Sequence, residues 1–150
     1  LEFNETGPLC GGRIEFDLRK LTCTDLAGTP LHDVLVHHLL SDDFFDVARF
    51  PMAVLEITGS TKIAETPGSL NLEVRADLTL RGVTQSICFL ASAGLTPQGC
   101  PAAQAALAID RTRWGIVYGS GKLFRKLAGH LVNDRFELQI KVVTQSSADQ

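Results

Sequence analysis

The sequence predicts an all-β fold, in which an antiparallel sheet curls into a closed or nearly closed barrel interrupted by one or two short helices. Several segments alternate apolar and polar residues with a period of two, so each has one face suited to a core. Glycine and proline stand between these segments, which favours turns and hairpins over crossover helices. The strands are evenly spaced along the chain, as strands of a barrel are.

The composition is typical of one compact domain that spans residues 1–150. The chain of 150 residues is 45% hydrophobic and 21% charged, and only residues 145–150 form a polar tail. Its net charge of -3 gives no positive field for a phosphate backbone, so nucleic acid is a poor candidate partner. No apolar run approaches the roughly 18 residues of a membrane helix, and the sequence therefore predicts no membrane span.

The first predicted strand covers residues 12–18, where Ile14, Phe16 and Leu18 alternate with charged residues. Two short helices should follow it. Thr29 can cap the first, with Pro30 at its first position, and Ser41 can cap the second, which must end before Pro51.

The remaining predicted strands follow without another helix. The clearest alternation covers residues 70–80, where Leu72, Val74 and Ala76 lie on one face and charged residues on the other. Turn residues at Arg81 and Gly82 end this strand. The same pattern identifies strands at residues 52–57, 87–91, 103–109 and 136–142.

The four cysteines favour free thiols over a metal or redox site. Cys10, Cys23, Cys88 and Cys100 include no C-x-x-C pair. Buried free thiols are the expected state, although spacing alone does not settle their disulfide state. The chain starts at Leu1 without a signal peptide, so we interpret it as a processed product or an expressed fragment.

The inward-facing positions mix large and small side chains, which allows a pocket inside the barrel. Small residues on several strands leave room for one apolar ligand, but the same pattern is typical of an ordinarily packed core, and both interpretations stay open. The small inward residues are Ala53, Ala76, Ala103 and Ala105. The large residues that alternation places on the wall are Phe16, Leu55, Leu78, Leu80, Phe89, Leu107 and Phe136.

Three stretches together resemble the YceI-like family of polyisoprenoid-binding proteins. They are HLLSDDFFDV at residues 38–47 followed by Phe50-Pro51, ADLTLRGVT at 76–84, and IDRTRWGI at 109–116. The match runs in order from about residue 12 to residue 143. Residues 114–118 and 124–134 further resemble a branch of the family common among Bacteroidetes-like bacteria.

The resemblance implies a lipocalin-like antiparallel barrel that binds a polyisoprenoid or another long-chain amphiphilic lipid without catalysis, for transport, storage or protection. It implies no metal and no cofactor beyond the lipid, and a periplasmic or secreted location. The matched motifs add Phe44, Phe45 and Trp114 to the candidate ligand-binding residues. Phe45 and Trp114 also suit a purely structural role, since helix docking and barrel closure both need a large anchor.

The chain departs from the family pattern at its N-terminal end. Family members carry one or more strands before the segment that corresponds to residues 12–17. A sheet short of strands leaves an open edge, which native proteins seldom leave uncovered. We therefore expect either that the native N-terminal strands are missing or that a second subunit covers the edge, which makes a homodimer possible.

Two other functions stay open on the sequence. The first is an enzyme that acts on a lipid head group through His38 with Asp42 or Asp43. The second is an interaction module whose interior is filled by its own side chains. In addition, we expect Asp110 and Arg111 to form a partly buried ion pair that stabilises the barrel.

Overall fold

The computed structural model describes residues 1–3, 9–63, 70–120 and 132–144. Its strands are β1 (Glu2–Phe3), β2 (Leu9–Asp17), β3 (Met52–Lys62), β4 (Leu72–Leu80), β5 (Val83–Leu95), β6 (Pro101–Asp110) and β7 (Arg135–Val143). One helix, α1 (Pro30–Leu40), and two 3₁₀ turns, Leu18–Lys20 and Arg111–Trp114, complete the described part. The six long strands include all six that alternation predicts.

The strands form one antiparallel sheet in the order in which they follow along the chain. Because β1 has only two residues, six full strands make up a curled sheet of the half-barrel type. The predicted all-β antiparallel fold is confirmed. Within the described residues β2 and β7 are not paired with each other, so the described strands do not form a closed barrel.

The turn between β4 and β5 shows why a two-residue hairpin forms here. Arg81 and Gly82 both have positive φ, 50° and 72°, as a type I′ turn requires. This turn matches the right-handed twist of the two strands, and Leu80 pairs directly with Val83. A Cβ at position 82 would lie 2.7 Å from the ring of Phe50, so the space as well as the backbone favours glycine.

The core lies on the concave face of the sheet, where residues of alternate strand positions meet across the strands. Leu55 pairs with Leu78, Ile57 with Ala76, and the side chains of Leu55 and Ala76 are almost fully buried. Large and small residues therefore interdigitate at these positions. Helix α1 contributes no fully buried residue to the core, and its Leu31 and Val34 are exposed.

The second predicted helix, after Ser41, does not form. The Ser41 hydroxyl donates to the carbonyl of His38 at 2.6 Å, so Ser41 ends α1 and caps no new helix. Backbone N–H groups after Ser41 also donate to carbonyls at the end of α1, as Phe45 N does to Leu39 O at 3.1 Å. Asp46 then takes a positive φ of 49°, which interrupts helical geometry. The segment is a series of turns that follows α1.

Two smaller predictions also need correction. Thr29 lies at the N-cap of α1, but its hydroxyl donates to Leu26 O at 2.8 Å and makes no capping bond. Cys23, Cys88 and Cys100 are free thiols, as predicted, but the predicted burial is wrong: Cys10 and Cys88 are exposed, and Cys23 and Cys100 are partly exposed. Cys88 follows from strand alternation, because it pairs with the exposed Arg75 on the outer face.

Candidate functional site: an apolar cleft in a half-barrel

One end of the half-barrel is closed by the 3₁₀ turn at Arg111–Trp114 and the turns after α1. Trp114 is fully buried, and its indole Nε1 donates to the carbonyl of Leu78 at 2.8 Å. Ile116 is also fully buried, and Phe44 is nearly so. Since Trp114 satisfies its only polar atom on the β4 backbone, it anchors this closed end to the sheet.

Arg111 holds the closed end together from inside. Its side chain is only 2% exposed and donates to three backbone carbonyls, those of Asn133, Ile116 and Val132, at 3.0, 3.0 and 3.1 Å. Its guanidinium carbon also lies 5.3 Å from the centre of the Phe44 ring. These donors tie the segment after β6 to the start of β7.

The carboxylate next to Arg111 differs from the one that the sequence predicts. Arg111 Nη2 lies 3.5 Å from Asp134 Oδ1, and the Asp134 side chain is 13% exposed. Asp110 Oδ1 accepts instead from the backbone N of Thr112 at 3.1 Å and from its hydroxyl at 2.5 Å, as the N-cap of the 3₁₀ turn. The stabilising ion pair thus links Arg111 to a residue 23 positions later, which sequence adjacency does not reveal.

His38 and Asp43, the candidate catalytic pair, come together near the closed end. His38 Nε2 lies 3.5 Å from Asp43 Oδ2, and the imidazole packs edge-on against Phe44 and Tyr118 at centroid distances of 5.3 and 4.6 Å. Asp43 is half-exposed, and none of these residues lines the apolar cleft described next. Among the described residues, no three metal-ligating side chains cluster.

The cleft lies on the concave face toward the end of the sheet opposite Trp114. Its volume is about 30 Å³, and it is bordered by β2 on one side and β7 on the other. A space of this size holds only a few water molecules. The side chains that line it are almost all apolar: Leu1, Leu9, Ile14, Leu55, Ile57, Val74, Phe89, Ala91, Ala103, Gln104, Ala105, Ile140 and Val142.

Small residues on β5 and β6 create this space. Ala91 pairs with Ala105, and Ala93 with Ala103, so two neighbouring strands lack bulky side chains at the same level. The small inward residues therefore have different roles on different strands. Ala103 and Ala105 line the cleft, whereas Ala53 and Ala76 are buried in the packed core.

The candidate ligand-binding residues also divide into two groups. Leu55 and Phe89 line the cleft. The others pack into the core or against it, and their role in ligand binding stays a prediction. Buried in the core are Phe44, Leu78, Leu80, Leu107 and Trp114, and packed partly buried against it are Phe16, Phe45 and Phe136.

Sequence reasoning missed several residues of the cleft. Ile14, Ile140 and Val142 occupy inward positions that alternation identifies, but they were not among the predicted wall residues. Leu1 and Leu9 carried no usable signal, because no predicted strand included them. Gln104 lies on an outward position of β6, yet it reaches the edge of the cleft.

The charged groups with shifted pKa values lie outside the cleft. The Arg19 guanidinium, bonded to Asp17 at 2.8 and 3.0 Å, lowers the pKa of that carboxyl. Desolvation, and after it the charge of Glu73, raises the pKa of the Cys88 thiol. Both groups belong to the outer or end surface, so the cleft itself offers apolar contact and little charge.

The fold and the cleft define a lipocalin-like protein with an apolar interior. A model of the YceI-like domain matches residues 11–144, and the chain belongs to this family. The family is known for a polyisoprenoid-binding fold and is in general a family of binding proteins. Among curated proteins, no sequence matches the chain.

Solved structures share the fold at low sequence identity. A Campylobacter jejuni YCEI protein, crystallised with large solvent channels, is 16% identical, with a TM-score of 0.66 over 91% of this chain and 72% of that one. Burkholderia cenocepacia BcnA is 14% identical, with a TM-score of 0.71 over 96% of this chain and 80% of that one. In the part of the chain that the structure describes, no helix is long and apolar enough to cross a bilayer.

Proposed function

We propose that this protein binds a polyisoprenoid or another long-chain amphiphilic lipid, without catalysis, along the apolar cleft. The observation that carries the proposal is the continuous apolar surface of the concave face, which stays partly exposed where the half-barrel is open. On β7 this surface consists of Phe136, Leu138 and Ile140, and on β2 of Ile14 and Phe16. A chain-like ligand that covers these residues gains free energy from burial alone.

The proposal is compatible with a small cleft because no described strand pairing joins the two strands that border it. Within the described residues β2 and β7 share no hydrogen-bond ladder, so a change in the curl of the sheet widens the cleft without breaking strand pairing. Burial contributes about 0.8 kcal/mol per CH₂ group, or on the order of 3 kcal/mol per isoprene unit before ordering costs. Several units are therefore enough for tight binding.

The rest of the proposal concerns the biological setting. Transport, storage or protection of the lipid requires only reversible burial, which an apolar cleft supplies without a reactive group. Family membership supports a periplasmic or secreted location. Fractionation of the source cells, with detection of the protein by antibody, tests that location directly.

Direct binding with a matched pair of variants tests the ligand site. Ala105 lines the cleft from β6, whereas its neighbour Ala106 is exposed on the outer face of the same strand. We expect Ala105→Phe to weaken the binding of a fluorescent polyprenyl lipid at least tenfold, about 1.4 kcal/mol, and Ala106→Phe to leave it unchanged. Ala105→Leu provides the same test if the phenylalanine variant unfolds.

Three results would contradict the proposal. One is the absence of lipid both from this titration and from native mass spectra of protein purified from its own host, which favours an interaction module with a packed interior. Another is equal affinity of the Ala105 and Ala106 variants. The last is a new lipid species after incubation, detected by mass spectrometry, that disappears in His38→Ala, which favours the enzyme.

A further inference from the structure

The pairing between β5 and β6 stops part of the way along the two strands. β5 pairs with β4 from Val83 to Ala91, but with β6 only from Ala91 to Leu95. The continuing stretch of β6, residues 106–110, pairs with β7 and with no described residue of β5. The sheet is therefore split between residues 83–90 of β5 and residues 106–110 of β6.

Backbone groups line both sides of this split. In a two-residue hairpin the flanking residues, here Leu80 and Val83, exchange hydrogen bonds, so odd-numbered residues of β5 bond toward β4. Arg111 N donates to Asp134 O at 2.9 Å, so odd-numbered residues of β6 bond toward β7. The even-numbered residues therefore direct their N–H and C=O groups into the split: Cys88 and Leu90 from β5, and Ala106 and Ala108 from β6.

One end of the split is spanned by the 3₁₀ turn that follows β6. Arg113 Nη2 donates to Ser86 O at 3.3 Å, and Gln85 Nε2 donates to Arg113 O at 3.0 Å. Arg113 thus takes the place of the missing ladder partner of Ser86. For Cys88 and Leu90 no strand in the described ranges supplies a ladder partner on this side. Backbone groups buried without partners are rare, so we infer that water reaches this part of the split.

The split lies directly beside the apolar cleft. Phe89 lines the cleft from β5 and Ala105 from β6, and each is the chain neighbour of a residue at which the split begins, Leu90 or Ala106. Phe89 is only partly buried, although alternation turns it inward. On β6 the outward side chains beside the split are the methyl groups of Ala106 and Ala108, both exposed. The outward side chains of β6 are therefore too small to obstruct the split.

An open groove on the outer face reaches the same level of the sheet. Its volume is about 600 Å³, and it is bordered by the outward-facing Lys141 and the half-exposed Leu70. Three of its lining residues, Gln104, Ala105 and Ile140, also line the inner cleft. The cleft and the groove thus lie back to back where the pairing of β5 with β6 ends.

We propose that the split is a side entrance through which the lipid enters and leaves the cleft, an inference that rests on the proposed function. An amphiphile has an apolar chain and a polar head, and the split offers a contact for each. The chain passes between Leu90 and Ala106 into the apolar cleft, and no ladder hydrogen bond between β5 and β6 has to break on this path. The head group meets backbone N–H groups and water at the rim.

Amide hydrogen exchange of the lipid-free chain, measured by NMR, tests the split itself. The amides that point into the split are those of Cys88, Leu90, Ala106 and Ala108. Their chain neighbours, whose amides bond to β4 or β7, are Ile87, Phe89, Leu107 and Ile109. We expect the first set to exchange at least a hundredfold faster than the second, because only the second set is held in ladders. Equal protection of the two sets overturns the proposal, since the split is then closed or covered in solution.

A covalent bridge across the split tests its role as an entrance. Extension of the β5–β6 register sets Cys88 opposite Ala108, so Cys88 can be joined to Ala108→Cys by oxidation or by a short bismaleimide, with the other three cysteines replaced by serine. We expect this bridge to slow association and dissociation of a fluorescent polyprenyl lipid at least tenfold in stopped-flow measurements. Its Kd should stay within about threefold, because an entrance changes both rates equally and leaves the bound state unchanged.

The matched control joins the same Ala108→Cys to Glu137→Cys on β7, in a chain whose Cys88 is replaced by serine. Ala108 and Glu137 are exposed and already paired in the β6–β7 ladder, so this bridge should leave both rates unchanged. Thermal unfolding of each bridged chain confirms that the fold is retained.

Two outcomes of the binding experiment separate this proposal from the proposed function. Unchanged rates in the chain bridged at Cys88, with an unchanged Kd, overturn the side entrance and leave the lipid-binding function standing, since the lipid then enters elsewhere. Absence of lipid binding by the unbridged chain contradicts the lipid-binding function itself, and the side entrance with it.

Discussion

Replacement of Arg111 by alanine should destabilise the fold severely and leave the ligand cleft nearly unaffected. The side chain is 2% exposed, and its loss removes donors from three carbonyls and the cation 3.5 Å from Asp134. Removal of one member of a buried ion pair costs about 3–5 kcal/mol. We therefore expect the free energy of unfolding to fall by about 3–5 kcal/mol.

Urea denaturation followed by tryptophan fluorescence and circular dichroism measures this loss. At about 2–4 °C per kcal/mol for a chain of this size, Tm should fall by roughly 6–20 °C. Arg113→Ala is the matched control, since Arg113 lies in the same 3₁₀ turn but is exposed. Its side chain donates to Ser86 O at 3.3 Å and its guanidinium carbon lies 5.3 Å from the centre of the Trp114 ring, both weak contacts at an exposed site. This control should lose less than about 1 kcal/mol.

Arg111→Lys separates charge from geometry. A lysine keeps the cation beside Asp134 but cannot direct donors to three carbonyls at once, so its stability should lie between those of the wild type and the alanine variant. Lipid affinity, measured below the Tm of each variant, should change less than about threefold, because Arg111 does not line the cleft. An alanine variant within about 1 kcal/mol of the wild type would refute the reasoning, and a selective loss of lipid binding would place Arg111 in the ligand site.

Three further predictions follow from buried, strained and charged positions. Trp114→Phe should cost about 2–4 kcal/mol in urea denaturation, because it leaves the Leu78 carbonyl without its 2.8 Å donor and opens a cavity; no change in the midpoint would contradict the anchoring role. Gly82→Ala should cost about 1 kcal/mol more than Gly115→Ala, since both glycines have φ near 72° but only position 82 meets a ring at 2.7 Å; equal losses would point to backbone strain alone. Arg19→Ala should raise the NMR titration midpoint of Asp17, because the Arg19 hydrogen bond lowers the pKa of that carboxyl. The stabilisation that this pair gives is present above the carboxyl's unfolded pKa of about 3.9 and disappears as the pH falls through its folded value. An unchanged midpoint would show that the hydrogen bond does not persist in solution.

Local patterns predicted most of the strands correctly because period-two alternation is imposed directly by the pleat of a half-buried sheet. The residues at 70–80 illustrate this: every second residue from Leu72 to Leu80 is buried. The end of α1 shows where local patterns fail. Ser41 with Asp42 and Asp43 has the composition of a helix start, but the same hydroxyl also serves to end the helix before it.

The candidate site depended on tertiary structure for a different reason. Which inward residues line open space and which fill the core is decided by the sizes of their neighbours on adjacent strands. Ala105 borders the cleft because it pairs with Ala91, whereas Ala76 is buried between the paired Ile57 and Ile87. Both positions hold alanine, so the residue type alone does not distinguish a cleft position from a core position.

The sequence by itself therefore determined the antiparallel all-β fold, the family and the apolar character of the interior, since each rests on alternation or on motifs contiguous along the chain. Only the tertiary structure decided that β2 and β7 do not pair within the described residues, which inward side chains line the cleft, and that Arg111 lies beside Asp134. These features depend on contacts between residues distant in the chain, and their energies are set by packing and burial that no local pattern encodes.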